Sequence, residues 1–176
     1  MEWLFLSSAF FRTSARVLGV DVDRVNAKWC RENYPDIETA DADFFPPLDI
    51  ETSSIDMVYG LSVMTHLTEV AQYAWLKELR RMLKPDGLCV LSTLGEYRFA
   101  GAGRLPRLVV EQLSTLGVSD SMLDEKLGSH LDFKNYYRTT FQTRNQMEGQ
   151  RSAFLDPVAF YSAGHRALQD IVVMRR

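Results

Sequence analysis

No glycine-rich cofactor loop is present in the 176 residues, since neither DxGxG nor GxGxxG occurs. Gly101-Ala102-Gly103 imitates one, but it lacks a third glycine and leads toward Pro106. Cysteine is scarce: Cys30 and Cys89 fall in separate predicted elements. That excludes a disulfide framework and any metal-ligand spacing, and the pair reads as small buried hydrophobes of a reducing cytoplasm. An excess of one charge is also missing. Twenty Lys and Arg face twenty-three Asp and Glu, a formal −3, without the basic surplus that nucleic-acid binding usually shows. The clusters Arg80, Arg81, Lys84 and Arg175, Arg176 read as a solvated helix end and tail. No apolar run is long enough to span a membrane. The apolar start, MEWLFLSSAFF, has an acid at its second position and serines inside the run, unlike a secretory signal with its basic leader. It reads instead as the remnant of a packed helix.

What is there is an alternation of strands and helices, the pattern of an α/β fold with a mainly parallel sheet. Hydrophobic residues make 46% and charged residues 24% of the chain, enough apolar content for one domain with a real core. Strands are predicted at residues 16–21, 37–40, 55–59 and 88–93, with helices at 24–33 and 69–83 between them. Tyr34-Pro35 ends the first helix, because a residue before proline avoids the helical region. In the second helix Tyr73, Leu76, Leu79 and Leu83 share one apolar face, and Lys84-Pro85-Asp86-Gly87 turns the chain. Further on, residues 105–116 and 145–154 read as helices. Residues 157–162 and 169–174 form a closing antiparallel pair with Gly164 in their connection.

Three places carry chemistry. Gly19-Val20-Asp21-Val22-Asp23 stands at the carboxyl end of a strand, where open α/β sheets bind ligands and an acid can accept from both ribose hydroxyls. Helix capping is the competing job for either aspartate; Asp23 suits the cap, which leaves Asp21 for the ribose. Ala40-Asp41-Ala42-Asp43 follows the second strand, suited either to an adenine edge or to a plain Asp-rich turn. The stretch from Asp56 to Leu67 ends a strand at Gly60 and sets Ser62, Thr65 and His66 at the same mouth. There His66 serves as a base, as a substrate ligand, or only as a packing residue.

Together these places resemble the class I S-adenosylmethionine-dependent methyltransferases, and within them bacterial methyltransferase-domain proteins. The resemblance runs in register from Ala15 to Glu96. It is carried by Pro46-Pro47-Leu48, YGLSVMTHL at 59–67, WLKELRRMLKPDG at 75–87 and QDIVVM at 169–174. It implies a Rossmann-like fold with S-adenosylmethionine as cofactor. By it, Asp21 holds the ribose, Val22 packs on the adenine, and Asp41 or Asp43 with Ala42 reads the adenine edge. Gly60, Leu61 and Ser62 line the methionine end. His66 is the candidate base, and Glu96, Tyr137, Arg138 and His165 face a small-molecule or saccharide acceptor. Residues 136–141 read equally as an acceptor lid and as an edge strand.

The departure from the family is the missing first strand and its glycine-rich loop. Fourteen residues precede Ala15, too few for a βαβ unit of about 30. The expectation is a single, N-terminally incomplete domain, residues 1–176, in which Trp3, Leu4, Leu6, Phe10 and Phe11 pack the helix after a lost loop. The sheet then lacks its central strand, as a truncated coding sequence would produce. The activity expected is methyl transfer. The alternatives are a non-catalytic Rossmann-like protein acting through protein contacts, and a nicotinamide-dependent oxidoreductase with Asp21 in the same place. Neither a membrane nor a nucleic acid is expected as a partner.

Overall fold

The computed structural model describes residues 16–101, 103–128 and 136–176; the predicted packing helix at the start and Ala102 lie outside them. Asp23 divides the first strand from the first helix. Strand β1 (Leu18–Asp21) ends two residues before it, and helix α1 (Arg24–Asn33) begins directly after it. The Asp23 carboxylate accepts from the Val25 and Asn26 amides, satisfying amides that no helical carbonyl reaches. Ala27 and Cys30 are the buried face of α1. Strand β2 (Glu38–Asp41) returns parallel to β1, with Asp21 opposite Asp41.

Strand β3 (Ile55–Gly60) runs into a single 3-10 turn, Met64–His66, and then into α2 (Glu69–Met82), capped by Thr68. Leu76, Leu79 and Met82 of α2 are buried against the core that also holds Val58, Leu91 and Met174. Strand β4 (Leu83–Thr93) follows without an intervening loop. The turn predicted at residues 84–87 is therefore an irregularity inside β4. Ile55 pairs with Leu83 and Met57 already with Leu88, and Asp86 takes a positive φ of 63° to let the extra residues bow out.

Beyond β4 come α3 (Glu96–Ala100), α4 (Arg107–Leu116), β5 (Val118–Leu123), α5 (Glu125–Gly128), β6 (Arg138–Gln142) and α6 (Arg144–Arg151). Strands β7 (Asp156–His165) and β8 (Gln169–Arg175) close the chain. Gly117, at φ 74°, ends α4 in the left-handed conformation that glycine adopts without a Cβ penalty. Of the two readings of residues 136–141, the strand is the one observed: β6 pairs antiparallel with β5, a strand the sequence reading missed. Gly164, placed above in a connection, lies inside β7; the hairpin turn is at residues 166–168, where Arg166 and Ala167 have positive φ.

Parallel pairing governs the first half of the chain and antiparallel pairing the second. The strand orders are β1-β2, β3-β4-β8-β7 and β5-β6. Both β1 and β3 therefore present one edge that no described strand covers. Residues of both strands line one gap, where the sequence analysis expects a central strand to be lacking.

Candidate active site

A cavity of about 1210 Å³ occupies that gap, with Leu18 and Val20 of β1 on one wall and Met57, Val58 and Tyr59 of β3 on the other. At its carboxyl-end mouth stand Asp21, Val22, Ala42, Ser62, His66 and Tyr137. Two strand tips and the segment after β3 thus converge on one space.

Asp21 is the electrostatic centre. Its Oδ1 accepts from the Asp23 amide at 2.7 Å, while Oδ2 is buried without a hydrogen-bond partner among the described residues. Burial, reinforced by the neighbouring Asp23 charge and only partly offset by the Asp23 amide, raises its carboxyl pKa from 3.8 to about 6. A buried acceptor left open in this way is costly unless a donor arrives. A pair of ribose hydroxyls would supply two, so the residues fit a nucleoside diol.

Of the stretch after β2, only Ala42 reaches the cavity. Its amide donates to the Asp21 carbonyl at 2.9 Å, which ties the two strand tips together. The carboxylates predicted beside it point elsewhere. Asp41 pairs with Arg31 at 2.8 Å, and Asp43 lies 4.0 Å from Arg24 with its side chain 86% exposed. Helix α1 supplies both arginines.

Ser62, at φ 58°, is held by a polar relay that the sequence reading did not foresee. Its amide donates to Ser92 Oγ at 2.7 Å, Ser92 donates to Gln169 Oε1 at 2.6 Å, and Gln169 Nε2 donates to Ser62 Oγ at 2.7 Å. Ser92 and Gln169 lie on β4 and β8, so only the sheet pairing brings them together. Gly60 and Leu61 do not line the cavity; a Cβ on Gly60 would come within 3.1 Å of the Leu91 side chain, so Gly60 serves packing.

His66 sits in the 3-10 turn with Nδ1 3.0 Å from the Arg138 carbonyl. A carbonyl only accepts, so this contact places a proton on Nδ1 and makes Nε2 the basic nitrogen of the neutral ring. Buried amides and hydroxyls fix the turn against β6. Thr140 Oγ1 donates to the Leu67 carbonyl at 2.7 Å, Gln72 Nε2 to the Met64 carbonyl at 2.9 Å, and Gln142 Nε2 to Gln72 Oε1 at 2.9 Å.

The acceptor-side residues separate. Tyr137 lines the cavity, edge-on to His66 with ring centroids 6.2 Å apart. Arg138 offers its carbonyl to His66, while its Nε is buried without a partner among the described residues. Glu96 is exposed and accepts from the Arg144 amide at 2.7 Å, and His165 ends β7 at the hairpin; neither lines the cavity. Tyr136, first residue of the stretch read as a lid or an edge strand, lines the cavity, as does Trp75, to which the sequence analysis gives no site role. The Tyr136 hydroxyl donates to the Phe44 carbonyl at 2.9 Å, and burial pushes its pKa up to about 12. No helix among the described residues is long and apolar enough to cross a membrane.

Solved structures share this arrangement of strands and helices. An S-adenosylmethionine-dependent methyltransferase from Mesorhizobium loti matches with a TM-score of 0.65 at 17% identity, over 96% of this chain and 84% of that one. The PH0226 protein of Pyrococcus horikoshii OT3 matches with a TM-score of 0.63 at 18% identity, over 96% and 75%. The 1,6-didemethyltoxoflavin-N1-methyltransferase of Burkholderia thailandensis, solved with its substrate and S-adenosylhomocysteine, matches with a TM-score of 0.62 at 14% identity, over 97% and 65%. No curated protein matches. The family described as "Methyltransferase domain" matches residues 4–91, half of the chain, so the chain belongs to that family and has the class I S-adenosylmethionine-dependent methyltransferase fold.

Proposed function

We propose that this chain takes part in S-adenosylmethionine-dependent methyl transfer to a small-molecule acceptor. The observation that carries this reading is the buried Oδ2 of Asp21 at the tip of β1, which lines the cavity between β1 and β3 and has no hydrogen-bond partner among the described residues. Asp21 would accept from the ribose hydroxyls, Val22 would pack on the adenine, and Ala42 would meet its edge. Ser62, oriented by Ser92 and Gln169, would stand at the methionine end. When bound, the cofactor supplies a methyl group already activated on a sulfonium sulfur. The protein's remaining task is alignment and exclusion of water. Tyr137 would hold the acceptor beside His66, and Nε2 of His66 would take the proton that an acceptor O–H or N–H loses as its bond to carbon forms.

Calorimetric titration with S-adenosylmethionine and, separately, with NAD tests this reading. Saturable binding of the first alone is expected. Binding of NAD alone would assign a nicotinamide enzyme and overturn the proposal. A second reading, a non-catalytic module acting through protein contacts, is favoured by one observation: β1 and β3 share no neighbouring strand among the described residues. Binding of neither ligand would select it.

A further inference from the structure

Beside His66, and outside the cavity lining, stands a carboxylate to which the methyl-transfer reading gives no role. We propose that Asp124 is a positioning residue that strengthens His66 as a base, an inference that rests on the methyl-transfer reading for the use to which the base is put. Asp124 Oδ2 lies 3.8 Å from His66 Nδ1, with the two side chains 23% and 12% exposed. His66 lines the cavity and Asp124 does not, so the carboxylate acts on the acceptor only through the ring.

Asp124 is fixed at both ends. Its amide donates to the Tyr137 carbonyl at 3.0 Å, joining it to the strand that carries Arg138. Its Oδ1 accepts from the Leu127 amide at 3.2 Å, which leaves Oδ2 turned to the imidazole. His66 Nδ1 thus meets two acceptors, the Arg138 carbonyl at 3.0 Å and the Asp124 carboxylate at 3.8 Å. When Nε2 takes a proton the ring becomes a cation, and both oxygens favour that form.

Among the described residues, the other charges around the ring do not duplicate Asp124. The Asp120 carboxylate on β5 is engaged elsewhere, accepting from the Glu69 amide at 2.9 Å. The Glu69 carboxylate on α2 accepts from Tyr73 and Gln146 at 3.0 Å each, and Glu125 on α5 is exposed. On β4, the neighbouring end carries uncharged Ser92 and Thr93. Among the described residues, the positive N-terminus of α2, which starts directly after the Thr68 cap, opposes a charged ring. Asp124 offsets it.

The test is the titration midpoint of the His66 ring by NMR in the full chain, its signal assigned by loss in His66→Gln among the three histidines. Asp124→Asn keeps the cap on Leu127 and removes the charge. The midpoint is expected to fall in Asp124→Asn, to fall less in Asp120→Asn, and to return toward wild type in Asp124→Glu. An unmoved midpoint in Asp124→Asn, or an equal fall in Asp120→Asn, would overturn the assignment. The titration needs no cofactor, so its failure is distinct from a failure to bind S-adenosylmethionine.

Discussion

Asp170 and Gly95 occupy one another's space: a Cβ on Gly95 would lie 1.7 Å from Asp170 Oδ2. Asp170 is 2% exposed, sits opposite Thr93 where β8 pairs with β4, and accepts from the Ala163 amide at 2.8 Å. Glycine is needed at 95 for room and not for conformation, since its φ of −96° and ψ of −163° are open to other residues. Gly95→Ala is expected to destabilise by about 2 kcal/mol or more, because a buried carboxylate must move. In an Asp170→Ala background the same change should cost at least about 1 kcal/mol less. Urea unfolding of the four proteins checks both figures.

Asp21 makes stability depend on pH. Its carboxyl is raised from 3.8 to about 6 in the fold, so the folded state holds the proton over that interval and the unfolded chain does not. The contribution is fully present below the unfolded value and is lost as pH rises through about 6. Asp21→Asn should therefore match wild type near pH 4 and exceed it by about 2 kcal/mol at pH 7.5, allowing for partial solvent contact. Thermal unfolding at the two pH values reads the difference.

Glu78 holds the loop beneath the cavity. It receives the Leu48 amide at 2.8 Å and pairs with Arg81, whose guanidinium also donates to the Ile50 and Leu48 carbonyls. The Glu78 side chain is only 6% exposed, and Arg81 beside it holds its pKa below the ordinary value. This contribution is present above the unfolded carboxylate pKa and fades as pH falls through the folded one. Glu78→Ala is expected to cost about 1–2 kcal/mol by removing the acceptor of the Leu48 amide and the ion pair of Arg81, with the loss shrinking in acid, as urea unfolding at pH 7 and pH 3 would show.

His66 is the place to separate chemistry from binding. His66→Gln should lower methyl transfer by about 10²-fold or more, while leaving the affinity for S-adenosylmethionine within about twofold. A radiolabelled methyl-transfer assay with a responsive acceptor, run beside calorimetry, checks the pair of outcomes. Loss of affinity alone would move His66 from the acceptor side to the cofactor side.

Local signals made most of the fold legible. Asp23 as a cap, the apolar stripe of α2 and the apolar run 171–174 of β8 are each decided by residues a few positions apart. Strand β5 was not legible: Ser119 is buried by bonding Gln112 on α4 at 2.7 Å, a partner that no local pattern reveals. The site divides the same way. Asp21 follows from its position at a strand tip, but the partners of Asp41 and Asp43 are Arg31 and Arg24 of the adjacent helix. Glu96 and His165 missed the cavity because helix α3 and the β7–β8 hairpin carry them elsewhere. Asp124 went unremarked because only the pairing of β5 with β6 brings it beside His66.

The pH dependence of S-adenosylmethionine affinity, compared in wild type and Asp21→Asn, tests the central claim most directly. A diol that donates to Asp21 requires the carboxylate, so the wild-type dissociation constant should be about tenfold larger at pH 5 than on its plateau above pH 7. Asp21→Asn should bind weakly and without that slope. Equal affinities across the range in wild type, or unimpaired binding by Asp21→Asn, would contradict the account.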